Sequence, residues 1–190
     1  KFPTEIVDLP SQGHFYVQGH PLSSGKVEIK YMTAKEEDIL TSQNLIQQGT
    51  VIEKLLQSLI IDKSIKVDDM LIGDKNAIMV AARILGYGKD YEFTYDDTEQ
   101  SVDLTKLEPV DLDFSKFPKG KNQFEYTLPN SQREVTFKLL TGNDENQIDE
   151  ETKARTKISK EQSSELTTRL KHMILSVDGK SEPSYINNFV

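Results

Sequence analysis

Apolar residues recur along this chain in two rhythms. In KVEIKYM (26–32) they alternate, placing Val27, Ile29 and Tyr31 on one side, the spacing of a half-buried strand. Thr33 and Glu36 then frame TAKE, a capping box, and predict a helix running to about Gln48 with Gly49 as its stop. TVIE, from Thr50 to Glu53, has the form of a second box. Behind it Val51, Ile52, Leu55, Leu56, Leu59 and Ile60 build a broad apolar stripe for packing on a neighbour. Ahead of all this, residues 1–25 hold three prolines and the turn signals LPSQG and PLSSG, which predict extended chain and turns.

The stretch LIGDKNAIMVAARILGYGKDYEF (71–93) predicts a third helix, 75–85, with Asp74 as its N-cap. It is apolar nearly all round, so it is expected to be the central buried helix, flanked by 34–48 and 51–61. A glycine and an aspartate ahead of a helix also raise the question of a phosphate site. That chemistry needs clustered glycines with a lysine and a hydroxyl at the helix start, and GDKN offers one glycine and no Ser or Thr. The scaffold reading prevails. Arg83 is the exception on this helix. It either snorkels to solvent, crosses to a carboxylate such as Asp38 or Asp90, or meets a partner. After Gly86, Tyr91, Phe93 and Tyr95 alternate on one face of a strand. SVDLTKL (101–107) reads as its return strand, leaving DDTEQ as the hairpin tip.

One segment returns. VEIKYMTAKEE at 27–37 aligns with VTFKLLTGNDE at 135–145, matching Val27 to Val135, Lys30 to Lys138, Thr33 to Thr141 and Glu37 to Glu145. Both read as strand, threonine cap, helix. The second helix looks delayed, because NDENQIDEETKARTKIS is so highly charged that part of it reads as loop. A helix over 159–175 follows, with Leu166, Leu170, Met173 and Ile174 as its stripe, then a turn at SVDGK and an apolar end, EPSYINNFV. The expectation is an α+β fold: a central helical cluster, β-hairpins and a duplicated strand–helix unit. It divides into 1–95 (strand and helical subdomain), 96–128 (hairpin and connector) and 129–190 (strand–helix subdomain).

Composition narrows the function. The 190 residues are 36% hydrophobic and 28% charged, with a formal net charge of −8. That is the balance of a folded domain, and its field repels nucleic-acid backbones and anionic lipid. DFSKFPKGKNQFEY (113–126) interleaves Phe114, Phe117 and Phe124 with Lys116, Lys119 and Lys121, a pattern that can bind single strands. Against the net acidity it reads better as a connector with inward phenylalanines. No apolar run approaches the roughly 20 residues a membrane-spanning helix needs, and KFPTEIVDLPSQG has no signal-peptide core. Absence of cysteine removes disulfides and thiolate zinc sites. The acidic tip DDTEQ lacks the spaced ligands and turn glycine of a calcium loop. His14, His20 and His172 form no metal-ligand spacing, although His14 and His20 can meet in a hairpin. No nucleophile elbow, dinucleotide turn or kinase signature is present, and the many carboxylates single out no acid–base pair. The expectation is a protein that is not an enzyme, with no cofactor, metal or small-molecule substrate.

LPSQGHFY, GKVEIKYMTAKEEDILTSQNLIQQGTVIEKLL, LIGDKNAIMVAARILGYGKDYEF and LKHMILSVDGK together resemble the T-even bacteriophage baseplate protein family, which includes a baseplate hub subunit and a hub assembly factor. The resemblance spans roughly residues 9–180 and is densest over 25–95. Many relatives carry cysteine pairs in the hairpin after YGKDYEF, suggesting a zinc knuckle. Here the tip is DDTEQ, so no metal carries over. The resemblance implies a structural subunit of a contractile tail baseplate, in the virion and, during assembly, the host cytoplasm. Its partners would be other baseplate and tail proteins, with no nucleic acid and no membrane. The alternative within the family is a hub assembly chaperone absent from the mature virion. Phe2, Phe15, Arg83, Tyr185 and Phe189 are the residues expected to bind partners, the aromatic ones as anchors near the apolar ends KFPTEIV and YINNFV.

Overall fold

The computed structural model describes residues 3–158 and 165–190, and the chain is an α+β protein. It divides into two compact units, Lys1–Gly120 and Lys121–Val190, with the boundary inside the stretch read as connector. No helix among the described residues is long and apolar enough to cross a membrane.

The first unit opens with two antiparallel strands, β1 (Thr4–Asp8) and β2 (Lys26–Lys30), in which Thr4 lies opposite Lys30 and Asp8 opposite Lys26. The turns between them cross closely at Gly13 and Gly25, both at positive φ. A Cβ on Gly13 would stand 2.5 Å from the Ser23 carbonyl oxygen, and one on Gly25 would stand 2.6 Å from the Gln12 backbone. β2 buries Val27 and Ile29, as its alternation predicts. The helix expected over 34–48 is two helices, α1 (Ala34–Leu40) and α2 (Gln43–Gln48). The break falls at Thr41 and Ser42. Thr41 Oγ1 donates back to the Glu37 carbonyl at 3.0 Å, and Ser42 turns extended so that its own carbonyl starts the next helix. Adjacent hydroxyl residues compete with the helical backbone in this way.

α3 (Val51–Leu59) buries Leu55, Leu56 and Leu59, then the chain returns to β2, where Ile60 bridges Ile29 and the Ile61 amide donates to Glu28. The second capping box does not form. Thr50 makes no side-chain cap bond, and Glu53 is drawn instead to Lys75 at 2.8 Å.

α4 (Ile72–Tyr87) corrects two expectations. Its cap is Leu71, and Asp74 sits inside the first turn. It is also not buried all round: Asp74, Ile78 and Ala82, at four-residue steps, face the interior with Lys75, while Gly73, Asn76 and Met79 are exposed. Alanine-rich composition hid which face was inward. β3 (Asp90–Tyr95) and β4 (Thr98–Asp103) follow as an antiparallel hairpin. The return strand begins at Thr98, earlier than predicted, because Asp96 and Asp97 alone make the turn at φ 49° and 57°. That is the two-residue turn usually built by Asn-Gly.

In the second unit, β6 (Glu134–Phe137) is central, with β5 (Phe124–Thr127) on one edge and β7 (Ile174–Val177) on the other, all antiparallel. α5 (Gly142–Ile158) is continuous from the start, so the charged run is helix and no delay exists. Asp144 and Glu145 in its first turn and Arg155 and Lys157 in its last complement the helix dipole, and Ile148 anchors it in the core. α6 (Glu165–Met173) ends earlier than predicted. Positions 159–164 of the predicted helix lie outside the described residues, Leu166 is 70% exposed, and Ile174 belongs to β7. The apolar end is not a free extension either. It forms α7 (Pro183–Phe189), opened by Pro183, with Ile186 buried and the helix packed on β7.

The two units therefore repeat one order of elements. Each has a hairpin, helices after its second strand, a return of the chain to that strand's free edge, and a closing helix. Ile60 makes the return in the first unit as a bridge to Ile29; Ile174 makes it in the second opposite Phe137, the residue aligned with Ile29.

Candidate functional site

The repeated segment carries the same polar network twice. In the first unit Lys30 Nζ donates to Glu36 Oε1 at 2.6 Å, while the Thr33 amide and hydroxyl donate to Oε2 at 3.0 and 2.5 Å. In the second, Lys138 Nζ donates to Asp144 Oδ1 at 2.7 Å, and the Thr141 amide and hydroxyl donate to Oδ2 at 2.9 and 3.1 Å. The strand supplies the lysine, the cap supplies the threonine, and the third helical position supplies the carboxylate. Glu36 is fully buried and also accepts from Ser58 of α3 at 2.6 Å. Burial would raise its pKa, but the bonds from Lys30, Ser58 and Thr33 outweigh that and hold it at about 2. Asp144 is shifted the same way: burial raises it, and Lys138 and Thr141 bring it below the usual range. Both carboxylates are fully engaged in holding a strand to a helix.

Asp74 does the same work between distant segments. It is buried and accepts from the Ser11 amide (3.0 Å), the Ser11 hydroxyl (2.6 Å) and the Tyr16 phenol (2.7 Å), while Tyr16 Oη accepts from the Leu71 amide at 2.9 Å. Burial, then the charge of Asp74, push the Tyr16 phenol well up, so it stays a proton donor. LPSQGHFY is thereby tied to LIGDKNAI. A buried carboxylate in the first turn also opposes phosphate at this helix end, in accord with the scaffold reading.

The residues expected to bind partners have separate fates. Phe15 is only 5% exposed and packs edge-on or tilted against Phe114 and Phe117 at 5.8 and 6.1 Å, so it is core and no surface anchor. Phe2 lies outside the described residues. Among the described residues Arg83 pairs with no carboxylate. Nη1 donates to the Gly88 carbonyl at 3.0 Å, and the guanidinium lies over the rings of Tyr87 (5.2 Å) and Tyr91 (5.7 Å). Tyr185 and Phe189 are half-buried and flank Arg133, whose guanidinium is 5.6 and 4.9 Å from their rings. Arg133 also donates to Asp178 Oδ2 at 2.8 Å and to Tyr185 Oη at 2.5 Å. Arg133 was not singled out in the sequence, where it stands in a turn-bearing stretch with no periodic signal.

The histidines are engaged one by one. His14 Nε2 lies 2.8 Å from the Phe117 carbonyl, His20 Nδ1 accepts from the Leu22 amide while its ring stacks on Tyr16, and His172 pairs with Glu151 at 2.9 Å. Among the described residues no three His, Asp or Glu side chains converge as metal ligands.

What remains open is a surface on the first unit. Every residue of β3 is exposed, and Tyr91, Phe93 and Tyr95 share one face, 46%, 39% and 73% exposed. At the hairpin's root an apolar groove of about 400 Å³ runs between α3 and α4, lined by Met32, Leu56, Met79, Val80 and Tyr91 among others. Alternation along 91–95 foretold the aromatic face, but nothing in the sequence foretold the groove.

No family model, curated protein or solved structure matches this chain.

Proposed function

We propose that this chain is a structural subunit of a contractile phage tail baseplate, in its hub, where it works as a protein–protein adaptor and performs no chemistry. The observation that carries the reading is the duplicated Lys–Thr–carboxylate unit at 30–36 and 138–144. Two related units with different insertions present two non-identical surfaces, which is what an adaptor between neighbours requires. The motifs on which the baseplate resemblance rests also support it. LPSQGHFY, KVEIKYMTAKEE and LIGDKNAI hold the Asp74 and Glu36 networks, so the resemblance falls on residues that build the scaffold.

The test is genetic. A phage in which this reading frame is interrupted should accumulate filled heads and unfinished baseplates by electron microscopy, and supplying the full chain in trans should restore tails. Complete, infectious particles from the interrupted phage would remove the proposal.

A further inference from the structure

We propose that two copies of this chain associate edge to edge through β1, joining their β1–β2 hairpins into one antiparallel sheet about a two-fold axis at Ile6. The inference goes beyond the baseplate reading and does not rest on it.

The phase of the hairpin's hydrogen bonds exposes the edge. The Tyr31 amide donates to the Pro3 carbonyl and the Leu9 amide to the Gly25 carbonyl, so in this register the odd-numbered residues of β1 bond to β2. Thr4, Ile6 and Asp8 therefore turn their N–H and C=O groups away from β2. Among the described residues nothing meets those groups, and β1 has no other strand beside it. Next to Val7 and Asp8 the surface drops into an open trench of about 900 Å³. The opposite edge of the same hairpin is closed, since Ile60 bridges Ile29 and the Ile61 amide donates to the Glu28 carbonyl. A row of unmet backbone groups is completed by another extended strand, which a helix cannot replace.

The side chains select a second copy as that strand. In an antiparallel pairing centred on Ile6, Ile6 faces Ile6 of the second copy, and Thr4 faces Asp8. All are outward residues, so each opposed pair exchanges both backbone bonds. Ile6 is 61% exposed in the single chain, and the pairing covers it with its own counterpart. On the other face Glu5 stands opposite Val7, so no two carboxylates oppose each other. Neighbouring registers are worse. A shift one way puts Glu5 against Glu5, and a shift the other way leaves Thr4 unpaired. One patch is thus complementary to itself, as an interface with two-fold symmetry requires. The matching edge of the second unit is weaker. β5 has four residues, and since the Leu128 amide bonds to the Arg133 carbonyl, its outward groups belong to Glu125 and Thr127, with no aliphatic side chain between them in that phase.

The experiment is sedimentation of the full chain over a wide range of concentration, with hydrogen exchange at both ends of the range. The expected result is a reversible monomer–dimer equilibrium. In the dimer the Ile6 and Asp8 amides should exchange about tenfold or more slowly, while the Glu5 and Val7 amides, already bonded to β2, change little. Ile6→Pro removes an outward amide and no bond to β2, a substitution that edge strands tolerate. It should raise the dissociation constant about tenfold or more, because each copy loses a donor and leaves a carbonyl unmet. Ile6→Lys keeps the amide, sets like charges opposite each other and should act in the same direction. Thr127→Pro, the same change on the β5 edge, should leave association as it is. A chain that stays monomeric at every concentration overturns the proposal. So does a dimer that both Ile6 variants leave intact, one that Thr127→Pro abolishes, or one in which the Ile6 and Asp8 amides gain no protection.

Discussion

Glu36 and Asp144 hold the same position in two copies of one structural unit, each bonded through one oxygen to a strand lysine and through the other to a cap threonine. Removing either should weaken its own unit. Glu36→Ala leaves the Lys30 ammonium, the Thr33 amide and the Ser58 hydroxyl without their acceptor, a loss of ~3 kcal/mol. Asp144, less buried and with fewer donors, should cost less. Hydrogen exchange should place the Glu36→Ala loss in residues 1–120 and the Asp144→Ala loss in 121–190.

Acid should act through the same pair. Glu36 titrates at about 2 in the fold against an ordinary 4.5, so its contribution is complete above pH 4.5 and is lost as pH falls through 2. Asp144, also lowered, contributes in the same sense. Urea midpoints measured between pH 5 and 2 should fall more steeply for the wild type than for Glu36→Gln.

Tyr16→Phe removes the donor to Asp74 and the acceptor of the Leu71 amide while keeping the ring. The expected cost is ~1–3 kcal/mol, because buried partners are left unsatisfied. Thermal unfolding should register it, and an unchanged midpoint would mean the Asp74 network does not join the 9–16 turn to α4.

On α4, neighbouring alanines should behave differently. Ala82 is buried against the core, and Ala81 lines an open trench beside β1 and the 104–109 segment. Ala82→Leu should overpack and cost ~1–3 kcal/mol, whereas Ala81→Leu should be nearly neutral.

Deleting 184–190 removes most of α7, including Ile186, and leaves Arg133 without the Tyr185 and Phe189 rings. The truncated chain should lose protection across residues 121–190, since a buried isoleucine alone is worth ~2–5 kcal/mol.

How much of this was legible in the sequence depends on the kind of signal. The repeat was legible where identity survived, at Val27 and Val135, Lys30 and Lys138, Thr33 and Thr141. Its working carboxylate was missed because Glu36 and Asp144 differ in type, and the match of Glu37 to Glu145 drew notice instead. Capping boxes were half legible. TAKE forms one, whereas in TVIE the ion pair of Glu53 with Lys75 wins over the local cap. A charged helix such as α5 misleads a reading based on apolar periodicity, because a few buried positions and dipole-matched ends suffice. Alanine-rich α4 gave no direction for its inner face; that follows from Asp74, which the 9–16 turn pulls inward from far away in sequence. Phe15 and the C-terminal aromatics looked like anchors by composition; tertiary packing buries Phe15 and sets Tyr185 and Phe189, half-buried, against Arg133. The exposed aromatic hairpin was legible as a pattern, and only the structure places it beside a groove.

The measurement that bears most directly on the proposal that this chain is a phage baseplate subunit is quantitative mass spectrometry of purified, intact virions of a phage proposed to encode it. A structural hub subunit should be present at a fixed, small number of copies per particle, and should stay with isolated baseplates after the tail is dissociated. Absence from mature particles, with the chain abundant in infected cells and in unfinished baseplates, would contradict the account and make the protein an assembly factor that leaves.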